Sequence, residues 1–291
     1  MNRTRRIISE WMLQSGLVGD ELLLEALLRR GFLAYRDDQG VWLATGSHAE
    51  DLDVLRLVAG LKVEPISGHK DRMALVRLKS NRIRAMNVAV RIVAIPENRS
   101  FNTTDDIPPH NGYSWGSTWL AYRNMVWGNK VATCPMRKIR SEPLGYATLD
   151  LGVALLVKAL PLARVATDSY SCDGHGDGPA TIGFHFEWDW PWAEAVFDVL
   201  GDATPNSKWC GGGASIAPLR GFGDTEVLSM LNDIQHFARR LLNQDTIDKI
   251  GRARARTLEA FGESPPNTGR FAQEARHQLA EEFAVVVRPS T

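Results

Sequence analysis

Residues 171–179 read Ser-Cys-Asp-Gly-His-Gly-Asp-Gly-Pro, and this stretch holds the densest set of chemically versatile side chains in the chain. Cys172, His175, Asp173 and Asp177 are the residue types that bind metal ions or move protons, and the glycines among them let backbone turn tightly or approach a ligand. Cys172-x-x-His175 supplies two zinc ligands at a familiar spacing, with Cys210, and then Cys134 or His185, to complete a tetrahedron. A harder metal, magnesium or manganese, is suited to the carboxylates Asp173, Glu187 and Asp189 beside His185. Strand alternation puts His185 and Glu187 on one face and Phe184 and Phe186 on the other. A nucleophilic reading takes Cys172 or Cys210 with His175 or His185 as base, and Gly211, Gly212 and Gly213 as amide donors to an anion. The surrounding acids raise a thiol's pKa and weigh against it. The catalytic candidates are therefore Cys172, Asp173, His175, His185 and Glu187, and the metal-ligand candidates Cys172, His175 and Cys210, with zinc or magnesium as the cofactor. The plain alternative is a hairpin loop in which Asp and Gly only make turns.

A second constellation is aromatic and basic: Tyr113, Trp115, Trp119, Tyr122, Arg123, Trp127, Lys130, Arg137, Lys138 and Arg140. Bases stack on rings and phosphates meet cations, so this mixture suits single-stranded nucleic acid. Tyr113, Trp119, Tyr122, Arg123, Lys130, Arg137, Lys138 and Arg140 are the candidate contacts. Trp119, Arg123 and Trp127 share a helical face, where a tryptophan serves a core as readily as a surface. Formal net charge is zero, so any pull on a polyanion has to come from local asymmetry. Such asymmetry exists: residues 107–141 carry Arg123, Lys130, Arg137, Lys138 and Arg140 with no acid, whereas acids dominate residues 146–205. Tryptophans beside acids also line sugar-binding grooves, although a tryptophan-rich core has the same composition.

The elements that must position these groups follow from periodicity. Residues 3–15 and 20–30 carry apolar helical stripes, and Gly31 stops the second. Asp37 to Gly40 supplies the turn of a hairpin between residues 32–36 and 41–44. Ser47-x-x-Glu50 is a capping box for a third helix reaching about residue 60. Residues 72–79 and 82–95 are expected as strands, then a long Asn-, Pro- and Gly-rich loop over 96–118 and a helix over 117–127. The order beyond is helix 149–161, strand 164–171, the Cys–His loop, strand 180–187, helix 190–200 and extended chain over 207–219. Three helices close the chain, the last at about 270–283.

This pattern predicts an α+β protein, a mainly antiparallel sheet with helices packed on one face and a helical C-terminal region. It divides into an N-terminal α/β subdomain over 1–95, the loop 96–118, a central α+β core over 119–222 and the helical region 223–291. A winged-helix reading of the N-terminus fits poorly, because Asp20, Glu21 and Glu25 would face phosphates. Three cysteines without a disulfide framework point to a reducing, cytoplasmic setting, and the longest apolar run, 149–163, is too short and too interrupted to span a bilayer. P-loop, dinucleotide, G-x-S-x-G and H-E-x-x-H signatures are absent.

The leading expectation is a cytoplasmic nucleic-acid-associated protein with the Cys172–His175 loop beside its basic aromatic surface. One alternative is a metal-dependent hydrolase, nucleases included, that uses Asp173, His175, His185 and Glu187. Another is a non-catalytic protein–protein interaction module. Whether the protein is an enzyme stays open; expected partners are nucleic acid or another protein, and no membrane.

Overall fold

The computed structural model describes residues 3–44, 49–58, 60–68, 72–78, 82–95, 150–161, 163–165, 167–184, 188–201, 204–210 and 215–285. The N-terminal elements run α1 (Arg3–Gln14), α2 (Gly19–Arg30), β1 (Ala34–Asp37), β2 (Gly40–Ala44), α3 (Ala49–Leu57), β3 (Leu61–Pro65), β4 (Arg72–Leu78) and α4 (Arg82–Val93). Their strands form an antiparallel sheet in the order β1-β2-β4-β3. The Asp37 to Gly40 turn behaves as its residues dictate: Asp37 Oδ1 accepts from the amides of Gln39 at 2.8 Å and Gly40 at 3.2 Å.

One element differs in kind from the sequence expectation. Residues 82–95, rich in β-branched and basic residues, were expected as a strand, and instead Arg82–Val93 is helical. Ala85, Val88, Ala89 and Ile92 recur at the 3.6-residue period and are buried, so the helix has an apolar face to set against α2. Strand propensity yields here to tertiary packing. Strand β3 was not anticipated, and α2 is buried over most of its length from Leu22 to Arg30, which removes it as a DNA-reading helix.

The second half runs α5 (Ala154–Ala159), β5 (Thr167–Cys172), β6 (Ala180–Phe184), α6 (Asp189–Leu200), β7 (Ser207–Cys210), β8 (Ser215–Pro218), α7 (Asp224–Leu241), α8 (Gln244–Phe261) and α9 (Thr268–Phe283). A second antiparallel sheet has the order β5-β6-β8-β7. The fold is thus α+β, with two four-stranded antiparallel sheets among the described residues and a helical C-terminal region. The expected helix over 149–161 is a shorter, wholly buried one preceded by a turn.

One hydrophobic cluster extends from Ile7 and Leu27 through Ile95, Leu151 and Val157 to Leu231 and Leu279, so the described parts of both halves share a core. Helix α7 is central to it. Its Val227, Met230, Leu231, Ile234, Phe237 and Leu241 are buried, and it packs on α5, α1 and the second sheet. Phe197, Trp209 and Phe237 stack at centroid distances of 4.6 to 5.2 Å, joining α6, β7 and α7. Trp188 and Trp192 are also core residues, which answers for much of the tryptophan content without a sugar groove. Ion pairs on buried carboxylates brace the packing: Glu25 with Arg29 and the partly exposed Arg239 ties α2 to α7, and Arg254 with Asp189 ties α8 to α6. Among the described residues no helix is long and apolar enough to cross a membrane.

Candidate metal centre

The Cys–His loop connects β5 to β6, so it is a hairpin loop, as its Asp and Gly content allows. Its conformation is nevertheless specific. Strand β5 ends at Cys172, and Asp173 caps a single 3₁₀ turn over Gly174–Gly176, its Oδ1 accepting from the His175 amide at 2.8 Å. The amides of Asp177 and Gly178 both donate to Gly174 O at 3.0 Å. Gly174, His175 and Gly176 have φ of 70°, 52° and 85°, three left-handed residues in succession. Histidine in that region costs about 1–2 kcal/mol relative to right-handed backbone. At Gly174 a Cβ would lie 2.7 Å from the Pro179 carbonyl oxygen, so only glycine fits.

This backbone turns three side chains toward a fourth. Asp150, Cys172, Asp173 and His175 each offer a donor atom, and these atoms all lie within 4.8 Å of one another. Cys172 Sγ is 3.6 Å from His175 Nε2, and the other ring nitrogen, Nδ1, lies 3.4 Å from Asp173 Oδ1. Asp150 reaches in from the turn before α5, its Oδ2 accepting from the Asp173 amide at 3.3 Å. That turn approaches closely because position 152 is glycine: a Cβ there would lie 2.6 Å from Leu231 Cδ2 and 2.9 Å from Asp173 Cβ.

Electrostatically the cluster is dominated by its acids, with His175 only partly offsetting them. The Asp173 side chain is fully buried, and its carboxyl is pushed above the usual range first by burial and then by the neighbouring Asp150 carboxylate. Its Oδ2 is sealed from solvent without a well-formed hydrogen bond, the Gly152 amide giving only a weak contact. The Cys172 thiol is likewise raised by burial, with Asp150 and Asp173 adding to the effect and the Gly174 amide opposing it. Sulfur, imidazole and carboxylate in line resemble a nucleophilic triad in outline, but this field stabilises the thiol over the thiolate. A divalent cation reverses that balance, because it favours thiolate and carboxylate together.

The spacing also suits a cation. Zinc bonds of about 2.3 Å to sulfur and 2.0–2.1 Å to nitrogen, at a tetrahedral angle, place those two atoms about 3.6 Å apart. Sγ and Nε2 stand at 3.6 Å. A thiolate beside an imidazole selects zinc over magnesium, which takes an all-oxygen octahedron.

The residues expected from sequence divide as follows. Cys172, Asp173 and His175 are brought together. Asp177 is not part of the group; it is exposed and paired with Arg3 at 2.7 Å. Cys210 does not join them either. Register pairs Cys172 with Thr181, Thr181 with Ser215 and Ser215 with Cys210, so Cys210 sits three strands away. At about 4.8 Å per strand that is about 14 Å, beyond any shared ion. His185, Glu187 and Cys134 lie outside the described residues, as do Tyr113, Trp119, Tyr122, Arg123, Lys130, Arg137, Lys138 and Arg140. Asp150 was missed; its one sequence signal is a carboxylate interrupting an otherwise apolar run. No family model, curated protein or solved structure matches the chain, so function has to be read from its own residues.

Proposed function

We propose that this protein is a zinc-dependent hydrolase whose metal is held by Cys172 Sγ, His175 Nε2 and a carboxylate oxygen of Asp150. The observation that supports it is the cluster itself: thiol, imidazole and two carboxylates converging on one point at zinc-like spacing, with one buried carboxylate oxygen of Asp173 left without a well-formed hydrogen bond. The direction of the imidazole assigns Asp173 its part. With Nε2 turned to the thiol, Nδ1 lies 3.4 Å from Asp173 Oδ1, so a carboxylate stands behind the imidazole as it does behind metal-binding histidines, where it fixes the tautomer and strengthens the ligand. Three protein ligands leave a fourth position open, which is the mark of a catalytic rather than a structural zinc site. That position is reachable, since the His175 side chain is half exposed.

Zinc bound there supplies a Lewis acid and a water acidic enough to be a nucleophile near neutral pH. The chain's own part is to hold the ligands in one geometry and keep Asp173 dry behind the imidazole, where it orients His175. For the substrate, the sequence favours a phosphodiester, through the basic aromatic stretch from Tyr113 to Arg140.

Metal analysis of protein purified without chelator is the first test. About one zinc per chain, lost in Cys172→Ser and in His175→Ala, supports the site. Absence of zinc from the unaltered protein after incubation with it removes the proposal. Turnover of single-stranded oligonucleotides that zinc restores after chelation supports the substrate class; binding that ignores salt concentration argues against a phosphate ligand.

A further inference from the structure

Strained backbone persists where its surroundings over-determine it. The hydrogen bonds inside the loop come from its own residues, so what holds Gly174 to Gly176 left-handed against relaxation must also reach it from outside. Arg3, on the first turn of α1, does so. Its Nη1 donates to the Gly176 carbonyl and to Asp177 Oδ1, both at 2.7 Å. Its Nε donates to Asp224 Oδ1 at 2.9 Å and its Nη2 to the Phe222 carbonyl at 2.7 Å. The methylene stem packs so closely on Gly176 that a Cβ there would lie 3.1 Å from Arg3 Cγ and Cδ. One planar guanidinium thus fastens the loop to the N-terminal end of α7, the helix whose Leu231 abuts Gly152 on the other side of the cluster.

We propose that Arg3 is a positioning residue for the metal centre: it locks residues 176–177 to α7 and so keeps His175 in the left-handed conformation that turns Nε2 toward Cys172. The inference rests on the zinc reading of that cluster. Arg3 touches neither the metal nor a ligand side chain; it acts through the backbone of the residues that follow His175. Preorganisation of this kind slows release of a bound ion more than it changes its capture, because the fastened loop must open before His175 can leave.

Arg6 provides the control. It donates to the same Asp224, through Oδ2 at 2.8 Å, and pairs with Glu10, but makes no bond to the loop. In the full-length protein, zinc release to a competing chelator is followed by stopped flow for the unaltered chain, Arg3→Ala, Arg3→Lys and Arg6→Ala. Amide exchange at residues 175–178 is measured on the same proteins without metal. Arg3→Ala is expected to release zinc about 10–100-fold faster, the range for loss of an outer-shell partner, with association little changed. Arg3→Lys falls between, since an ammonium cannot span the four acceptors, and Arg6→Ala releases zinc at the original rate. The loop amides of metal-free Arg3→Ala exchange faster than those of Arg6→Ala. Equal release rates across the variants, in a protein that does take up zinc, overturn the role of Arg3 and leave the metal centre standing. Failure of the unaltered protein to take up zinc overturns the metal centre and this role with it. Unchanged exchange at the loop in Arg3→Ala overturns the clamp whatever the metal result.

Discussion

Replacing Asp173 by Asn should stabilise the metal-free protein and weaken its response to zinc. Asp173 is fully buried, faces Asp150 and has one oxygen without a well-formed hydrogen bond. Asparagine keeps the acceptor for the His175 amide and puts an N–H₂ where a charged oxygen lies against a second carboxylate. Removing a buried charge that faces a second carboxylate is worth about 1–2 kcal/mol even after solvent and backbone have relaxed around it. At roughly 2 °C per kcal/mol for a chain of this size, metal-free D173N should melt about 2–4 °C above the parent at neutral pH.

The pH dependence follows from the same burial. A carboxyl whose folded pKa is raised binds more protons folded than unfolded, so its burial costs little below the unfolded value of about 3.9 and the parent loses stability as pH climbs through the folded value. The advantage of D173N should therefore be small in acid and develop fully above that window. Zinc offsets that advantage. At a free concentration 100 times Kd it stabilises the parent by about 2.7 kcal/mol, and a 10–100-fold weaker variant gains only about 0.4–1.4 kcal/mol. Melting followed by circular dichroism with and without zinc checks both halves. A lower melting temperature for metal-free D173N at neutral pH, or equal zinc shifts in the two proteins, refutes the account of Asp173.

Gly152→Ala should weaken zinc binding at least tenfold, because its Cβ would displace either Leu231 or Asp173, both within 2.9 Å; isothermal titration measures it. Glu25 is buried, which raises its pKa, yet the attractions of Arg29 and Arg239 outweigh that and hold it below the usual value. Its contribution to stability is therefore present above the unfolded pKa of about 4.3 and is lost as pH falls through the lower folded value, so Glu25→Gln should flatten the acid limb of the unfolding curve. Arg254→Ala should cost about 3–5 kcal/mol in a denaturant titration, since Asp189 is fully buried opposite it at 3.0 Å and the Trp192 face loses its cation. Arg254→Met, which fills the space but leaves Asp189 equally unpaired, should cost nearly as much as Arg254→Ala; a much smaller loss for Met assigns the effect to packing rather than to the buried charge.

What could be read along the chain was whatever depends on neighbours in sequence. The hairpin at Asp37 to Gly40, the helical stripes of α1, α2 and α7, and the reactive loop between two strands all follow from spacing and turn chemistry within about a dozen residues. Cys172, Asp173 and His175 were legible as a group for that reason, since one turn carries all three. The α4 segment shows the limit of local reading: its Val and Ile residues suit a strand, and the choice of helix came from a buried face against α2. The completion of the site was decided by tertiary structure alone. Asp150 enters from 23 residues before Asp173 because Gly152 lets its turn close onto α7. Cys210, as promising a ligand by type, is carried about three strand spacings away by sheet order. Arg3 reaches the loop because α1, α7 and the turn after β5 meet in space. Side-chain chemistry can be read from residue types, but the ångström-scale distances that make a site depend on register and packing between elements far apart in the chain, and no local pattern encodes those.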